Sequence, residues 1–196
     1  MSEFTTHLYT ARAYTAEETI FSNSRTHLQD LDEEMKSHMN AAHVQVSGLT
    51  QAAFDRFAAE YADNFKSIYF FQNPQVKDLS ALGKLRNVEY LLFYNLRSAQ
   101  GLWDMSQNQN LKGIFLNDRK LCHDLSSLTA APALEEVLIA GPMDGKFTVR
   151  SLNPLKACQH LKRVMLNCNT EDKGFSPEDY AHLEVLKYRV DRKRNY

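Results

Sequence analysis

Cysteine is scarce in this chain: Cys122, Cys158 and Cys168 are the only three, an odd number without a C-x-x-C pair. That argues against a disulfide framework and a thiolate metal site, and makes a reduced, cytoplasmic setting the expectation. Charge of one sign is also lacking. The formal net charge of −1 supplies no global field for a nucleic acid or a membrane surface, so binding to nucleic acid is not expected. Long apolar runs are missing as well, since the longest, Tyr90 to Tyr94, has only strand length. Met1 to Tyr14 carries Glu3, His7 and Arg12 and no apolar run, so neither a signal peptide nor a membrane span is expected.

The signatures of common catalytic sites are absent too. The sequence contains no G-x-x-x-x-G-K-[ST], no G-x-G-x-x-G, no G-x-S-x-G and no H-E-x-x-H. The closest histidines, His38 and His43, straddle an expected helix end instead of sharing a face. Cys122 and Cys158 fall at positions expected to point into a core, where cysteine acts as a small hydrophobe. No catalytic residue, cofactor or metal ligand is assigned, and the chain is read as non-enzymatic.

What is present is a repeat. A leading apolar position recurs at Phe65, Val88, Leu111, Leu134, Leu161 and Leu183, with spacings of 23, 23, 23, 27 and 22 residues. Two inward strand positions follow at plus three and plus five: Ile68 and Phe70, Leu91 and Phe93, Ile114 and Leu116, Val137 and Ile139, Val164 and Leu166, Leu186 and Tyr188. A second apolar set closes each return leg: Val76, Leu79 and Leu82; Ala99, Leu102 and Met105; Cys122, Leu125 and Leu128; Val149, Leu152 and Leu155. Such periodicity predicts a solenoid in which each strand pairs in parallel with the next and each return leg packs behind it.

The flanks are less regular. Leu28, Leu31, Met35 and Met39 lie three or four apart between Ser24 and Met39, predicting an amphipathic helix that seals the N-terminal end of the array. Tyr9 to Tyr14 reads as a short edge strand. Val44 to Val46 reads as a first strand, followed by a helix from Thr50 to about Asn64. The longer fourth unit places its surplus in Gly141 to Lys146, a turn-rich stretch expected to bulge from one edge. Ser176-Pro177-Glu178-Asp179 has the order of a helix start, and basic Lys187 to Tyr196 is expected to fray. The domain reading is a cap region over 1–43, one continuous repeat domain over 44–190 and a basic tail over 191–196.

The unit length, the Phe65 to Asn73 strand segment and the return legs Asp78 to Leu82 and Asp124 to Leu128 resemble the short, 22-residue-type leucine-rich repeats of internalin-like proteins and phosphatase regulatory subunits. The resemblance covers about residues 44 to 190. It implies an α/β, right-handed leucine-rich-repeat solenoid of six or seven units, with a parallel concave sheet and short helices or irregular legs on the convex side. The Asn of that pattern stands at Asn73 and Asn169, but Leu96, Arg119 and Pro142 occupy the matching positions. Irregular turns are therefore expected in the middle units. Without a recognisable secretion signal or wall anchor, the secreted role of some internalins is not carried over.

Strand alternation then separates the outward residues from the core. One outward residue from each unit gives Gln45, Tyr69, Leu92, Phe115, Leu138, Met165 and Lys187, five apolar residues bounded by polar ones. Flanking columns add Ser67, Tyr90, Gly113, Glu136 and Arg163 on one side and Phe71, Tyr94, Asn117, Ala140 and Asn167 on the other. Glu136 and Arg163 are expected to pair. Tyr69, Phe71, Tyr90, Leu92, Tyr94, Phe115, Asn117, Leu138 and Met165 are the candidate protein-binding residues, because aromatic residues and Met are enriched in interface cores. An unidentified protein or peptide is the expected partner, bound by an adaptor, regulatory subunit or inhibitor. Homodimerisation, sheet packing alone and cover by the N-terminal segment are the alternatives.

Overall fold

The computed structural model describes residues 28–118, 120–141, 147–172 and 176–192. The expectations for Tyr9 to Tyr14, for the loop residues 142–146 and for the tail residues 193–196 lie outside them.

Helix α1 spans Leu28–His38. Leu31 and Met35 are fully buried, whereas Met39, expected on the same apolar face, is 37% exposed because the helix stops one residue before it. Strand β1 (His43–Val46) follows, then α2 (Gln51–Glu60). Thr50 caps α2 as expected: its Oγ1 accepts a hydrogen bond from the Ala53 N–H at 3.2 Å. The helix is shorter than expected, and Ala62–Asn64 continues as a 3₁₀ turn. Tyr61 ties the two helices together, donating its hydroxyl to Asp32 at 2.7 Å, while Arg56 pairs with the same carboxylate at 2.9 Å.

Five strands carry the repeat onward: β2 (Ser67–Phe71), β3 (Tyr90–Tyr94), β4 (Gly113–Asn117), β5 (Glu136–Ala140) and, after a short β6 (Thr148–Val149), β7 (Arg163–Thr170). Helix α3 (Asn153–Ala157) lies in the return leg between β6 and β7, and β8 (Val185–Arg192) closes the described sheet. All pairings are parallel, in the order β1-β2-β3-β4-β5-β7, with β8 on the far side of β7. The small β6 was not foreseen. It pairs with Asn169 and Thr170, extending the sheet beyond the end of β5.

The register matches the repeat count. Ile68 stands beside Leu91, Leu91 beside Ile114, Ile114 beside Val137 and Val137 beside Val164. These inward residues are fully buried, as are Phe70, Phe93, Leu116 and Ile139. Phe70 and Phe93 stack at 5.3 Å with 12° between their planes. The last unit departs from the pattern: Leu186 is half-buried and Tyr188 is 51% exposed, since no described unit packs beyond β8 to cover them. The β7–β8 ladder nevertheless continues to Thr170 opposite Arg192, so the expected fraying does not begin at Lys187.

Return legs turn through 3₁₀ segments at Ser80–Lys84 and Ser126–Ala130, which begin the same way. Asp78 and Asp124 accept from the N–H two residues on, at 2.8 and 2.9 Å, a local turn that aspartate forms readily. One leg is packed differently from expectation. Trp103 is only 4% exposed and carries most of the core packing there, while the expected Leu102 is half-buried and packs against the same core from its edge. At Ser176 the expected helix start is a single 3₁₀ turn, Pro177–Tyr180, whose Ser176 hydroxyl donates to Glu178 instead of capping the turn. Tyr180 anchors that turn, with its ring buried and its hydroxyl donating to the Leu152 carbonyl at 2.9 Å.

The turn amides are satisfied in two ways. Asn73 is fully buried, accepts from the Leu49 N–H at 2.9 Å and donates to the Val46 carbonyl at 3.0 Å. A second buried amide, Asn108, serves a different place, the end of the preceding return leg. Its amide donates to the Leu82 and Leu85 carbonyls at 2.8 and 2.9 Å and accepts from the Trp103 indole at 2.8 Å. Left-handed backbone at Gln72 (φ 54°) and Asn95 (φ 63°) marks the strand exits of β2 and β3.

Candidate functional site

The sheet has two faces and two separate apolar clusters. One is the core, built from the inward strand residues, the helices and the return legs. The other, among the described residues, consists of strand residues: Tyr69, Leu92, Phe115 and Leu138, with Phe71, Tyr90, Tyr94, Ala140, Met165 and Val185 packed against them.

The pairing register brings the candidate residues together as the alternation predicts. Gln45, Tyr69, Leu92, Phe115, Leu138, Met165 and Lys187 stand side by side in one row across the sheet. Ser67, Tyr90, Gly113, Glu136 and Arg163 form the next row, which Val185 continues. Phe71 lies beside Tyr94 in the third row, their rings stacked at 5.3 Å, and the Tyr69 ring leans on Phe71 at 5.6 Å. Asn117, on the same side of β4, donates to the Gly141 carbonyl at 3.4 Å. Val185 was not among the sequence candidates, although it sits two residues after the leading Leu183, the position that places Glu136 and Arg163 in this row.

Exposure along the central row is uneven. Tyr69 is 3% exposed, Leu92 1%, Phe115 7% and Leu138 6%, while Met165 is half-buried and Lys187 exposed. The patch is contiguous, but its centre has almost no accessible surface. The accessible part is the row of half-buried Phe71, Tyr94, Asn117, Ala140 and Asn167, together with Tyr90 and Met165. Truncating Tyr69 or Phe115 would therefore remove buried packing, not a free contact.

Electrostatics on this face are local. Arg163 Nη1 meets Glu136 Oε1 at 2.8 Å, and Arg163 Nη2 lies 3.4 Å from Glu184. Burial pushes the Tyr90 hydroxyl up to about 12, and nearby Glu136 adds to the shift. At the strand starts a ladder of alternating charge runs along the rim: Lys66, Glu89, Lys112, Glu135, Lys162 and Glu184 each follow the leading apolar residue. Glu89 bridges Lys66 at 3.3 Å and Lys112 at 2.8 Å, and Glu135 meets Lys162 at 2.9 Å.

Cys122, Cys158 and Cys168 are buried free thiols. Burial pushes Cys122 well above the ordinary range and Cys158 up to about 11, the direction opposite to activation. No three His, Cys, Asp or Glu side chains among the described residues gather where they could hold a metal ion. No described helix is long and apolar enough to cross a membrane.

Neither a family model nor a curated protein matches the sequence. Among solved structures, the chain is similar to the crystal structure of internalin C2 from Listeria monocytogenes, with 14% identity over 85% of this chain and 84% of that chain and a TM-score of 0.40. At that level the likeness carries no argument, and the repeat architecture is read from the strand register and return legs themselves.

Proposed function

We propose that this chain is a non-enzymatic protein-recognition module: a right-handed, short-type leucine-rich-repeat solenoid of the cytoplasm, with α1 as its N-terminal cap. Its binding face is the sheet surface opposite the core. The observation that carries this reading is the second apolar cluster, which is disjoint from the core and formed by strand residues of successive units. Sheet stability alone does not require aromatic residues in two adjacent outward rows. Stacked Phe71 and Tyr94, both half-buried, supply rigid aromatic area of the kind that dominates interface energetics. The partner is a protein or peptide with an apolar anchor, and the module acts as an adaptor, regulatory subunit or inhibitor.

The test is the double variant Phe71→Ala/Tyr94→Ala. Affinity capture from the source cell with the unmodified chain identifies the partner, and the double variant is then compared by titration. Each truncation is expected to cost about 2 kcal/mol, roughly thirty-fold in Kd, while the thermal unfolding curve stays cooperative. Unchanged affinity in a folded double variant would overturn the reading.

A further inference from the structure

Three rows of the sheet reach β8 and stop there among the described residues. Leu186 continues the core row of Val137 and Val164, and Tyr188 that of Ile139 and Leu166. The four earlier residues are at most 1% exposed, whereas Leu186 is half-buried and Tyr188 is 51% exposed. The third row is the charged rim, where Lys66, Glu89, Lys112, Glu135, Lys162 and Glu184 alternate in sign from unit to unit. Glu89 and Glu135 each meet a lysine of the adjacent unit, at 2.8 and 2.9 Å, and their side chains are 25% and 34% exposed. Glu184 instead meets Arg163 Nη2 at 3.4 Å, and its side chain is 55% exposed. Among the described residues β8 pairs with β7 alone, over its full eight residues, so no described strand takes up its other edge. A strand edge of that length is a template for a further strand.

We infer that the edge of β8 accepts an extended segment of another protein, added in parallel, with Lys or Arg at the level of Glu184 and apolar residues at the levels of Leu186 and Tyr188. Parallel is the direction of every described pairing in this sheet, and it carries all three rows one step further, about 4.8 Å. Backbone hydrogen bonds then supply affinity, and the alternate side chains supply specificity. The added cation gives Glu184 the kind of partner that Glu89 and Glu135 have, and the added apolar pair covers Leu186 and Tyr188. Charge selects a foreign segment over a second copy. Head-to-tail addition would bring β1 of the next copy, which has Ala42 at the level of Lys66 and so offers Glu184 no cation. Two β8 edges meeting each other would bring together strands that each hold three basic residues and one acidic over 185–192, and like charges oppose that pairing. This edge is separate from the sheet face proposed above as the binding surface.

The test uses the full chain and a fluorescein-labelled peptide, Gly-Gly-Lys-Thr-Ile-Ser-Val-Thr-amide, with binding followed by anisotropy at low salt. Saturable binding is expected, and its absence would overturn the inference. Exchanging the peptide lysine for glutamate should weaken binding about threefold, and Glu184→Lys in the protein should reverse that preference. A folded Glu184→Lys chain with the same preference as the unmodified one would overturn it. N-methylation of the peptide at Ile or, separately, at the adjacent Ser tests the edge geometry, because neighbouring N–H groups of a strand point to opposite sides. One methylation should cost at least about fivefold and the other leave affinity nearly unchanged; equal effects would overturn the inference. Sedimentation of the chain without peptide is the last readout. A dimer dispersed by Tyr188→Lys would place a second copy on this edge and overturn the choice of a foreign segment, whereas no change on that substitution supports it. The probe needs no native partner, so failure of partner capture leaves this result standing and failure here leaves the test of the sheet face standing.

Discussion

Glu136 and Arg163 stand opposite each other on β5 and β7, and their side chains meet at 2.8 Å with the carboxylate side chain 3% exposed and the guanidinium side chain 16% exposed. An ion pair so far from water gives strong coupling between its members while contributing little net stability, because desolvation offsets the attraction. Its position between the apolar row and the rim makes it a specific alignment point for two strands whose connection contains the four-residue surplus.

Removing one member should therefore hurt more than removing both. Arg163→Leu is expected to lower unfolding free energy by about 3 kcal/mol, and Glu136→Leu/Arg163→Leu to recover most of that loss. Urea unfolding midpoints check this. Equal destabilisation by the single and double variants would show that the pair is not coupled as its geometry implies.

The two buried amides make a matched pair of predictions. Asn73→Ala strands the Leu49 N–H and removes a partner from the Val46 carbonyl, and a loss of about 2–3 kcal/mol is expected. Asn108→Ala strands the Trp103 indole N–H and takes a donor from two carbonyls, with a loss at least as large. Thermal denaturation with parallel tryptophan fluorescence separates them, since only the second should also alter the environment of Trp103.

Glu89 predicts a pH dependence. Its hydrogen bond to Lys112 holds the carboxyl below its ordinary value of 4.5, with Lys66 contributing, against a smaller opposing effect of burial. A folded value below the unfolded one means stability that is present above the ordinary value and lost as pH falls through the depressed folded value. Glu89→Gln should flatten the decline of the denaturation midpoint on acidification below 4.5 and leave the slope near neutrality unchanged. An identical acid limb in both proteins would rule out this contribution.

Much of the candidate site was legible because parallel pairing preserves sequence phase. Units 23 residues apart place Tyr69, Leu92, Phe115 and Leu138 in one row, and the pairing of Glu136 with Arg163 follows from the 27-residue step between the leading positions Leu134 and Leu161. The alternating Lys and Glu ladder was legible on the same terms but becomes conspicuous only when the residue after each leading position is tabulated. Asn108 carried no such signal, since it lies off the consensus position and its three partners are set by how one return leg meets the next. Trp103 is buried more deeply than Leu102 for a related reason: a leg without regular structure has no fixed periodicity to select its most inward residue.

The sequence alone determined the unit, the strand alternation and therefore which side chains share a row, because each strand's phase is fixed by the need to bury the same two positions against a common core. Only the tertiary structure decided how much of the second face water reaches. Leu92 and Met165 have the same place in their units and the same alternation, yet one is 1% exposed and the other half-buried. Leu92 stands between Tyr69 and Phe115 with Tyr90 and Tyr94 in the same cluster, whereas Met165 stands between Leu138 and Lys187 next to the last described strand, and how far such neighbours close over a position is a property of the assembled sheet that no repeat period encodes.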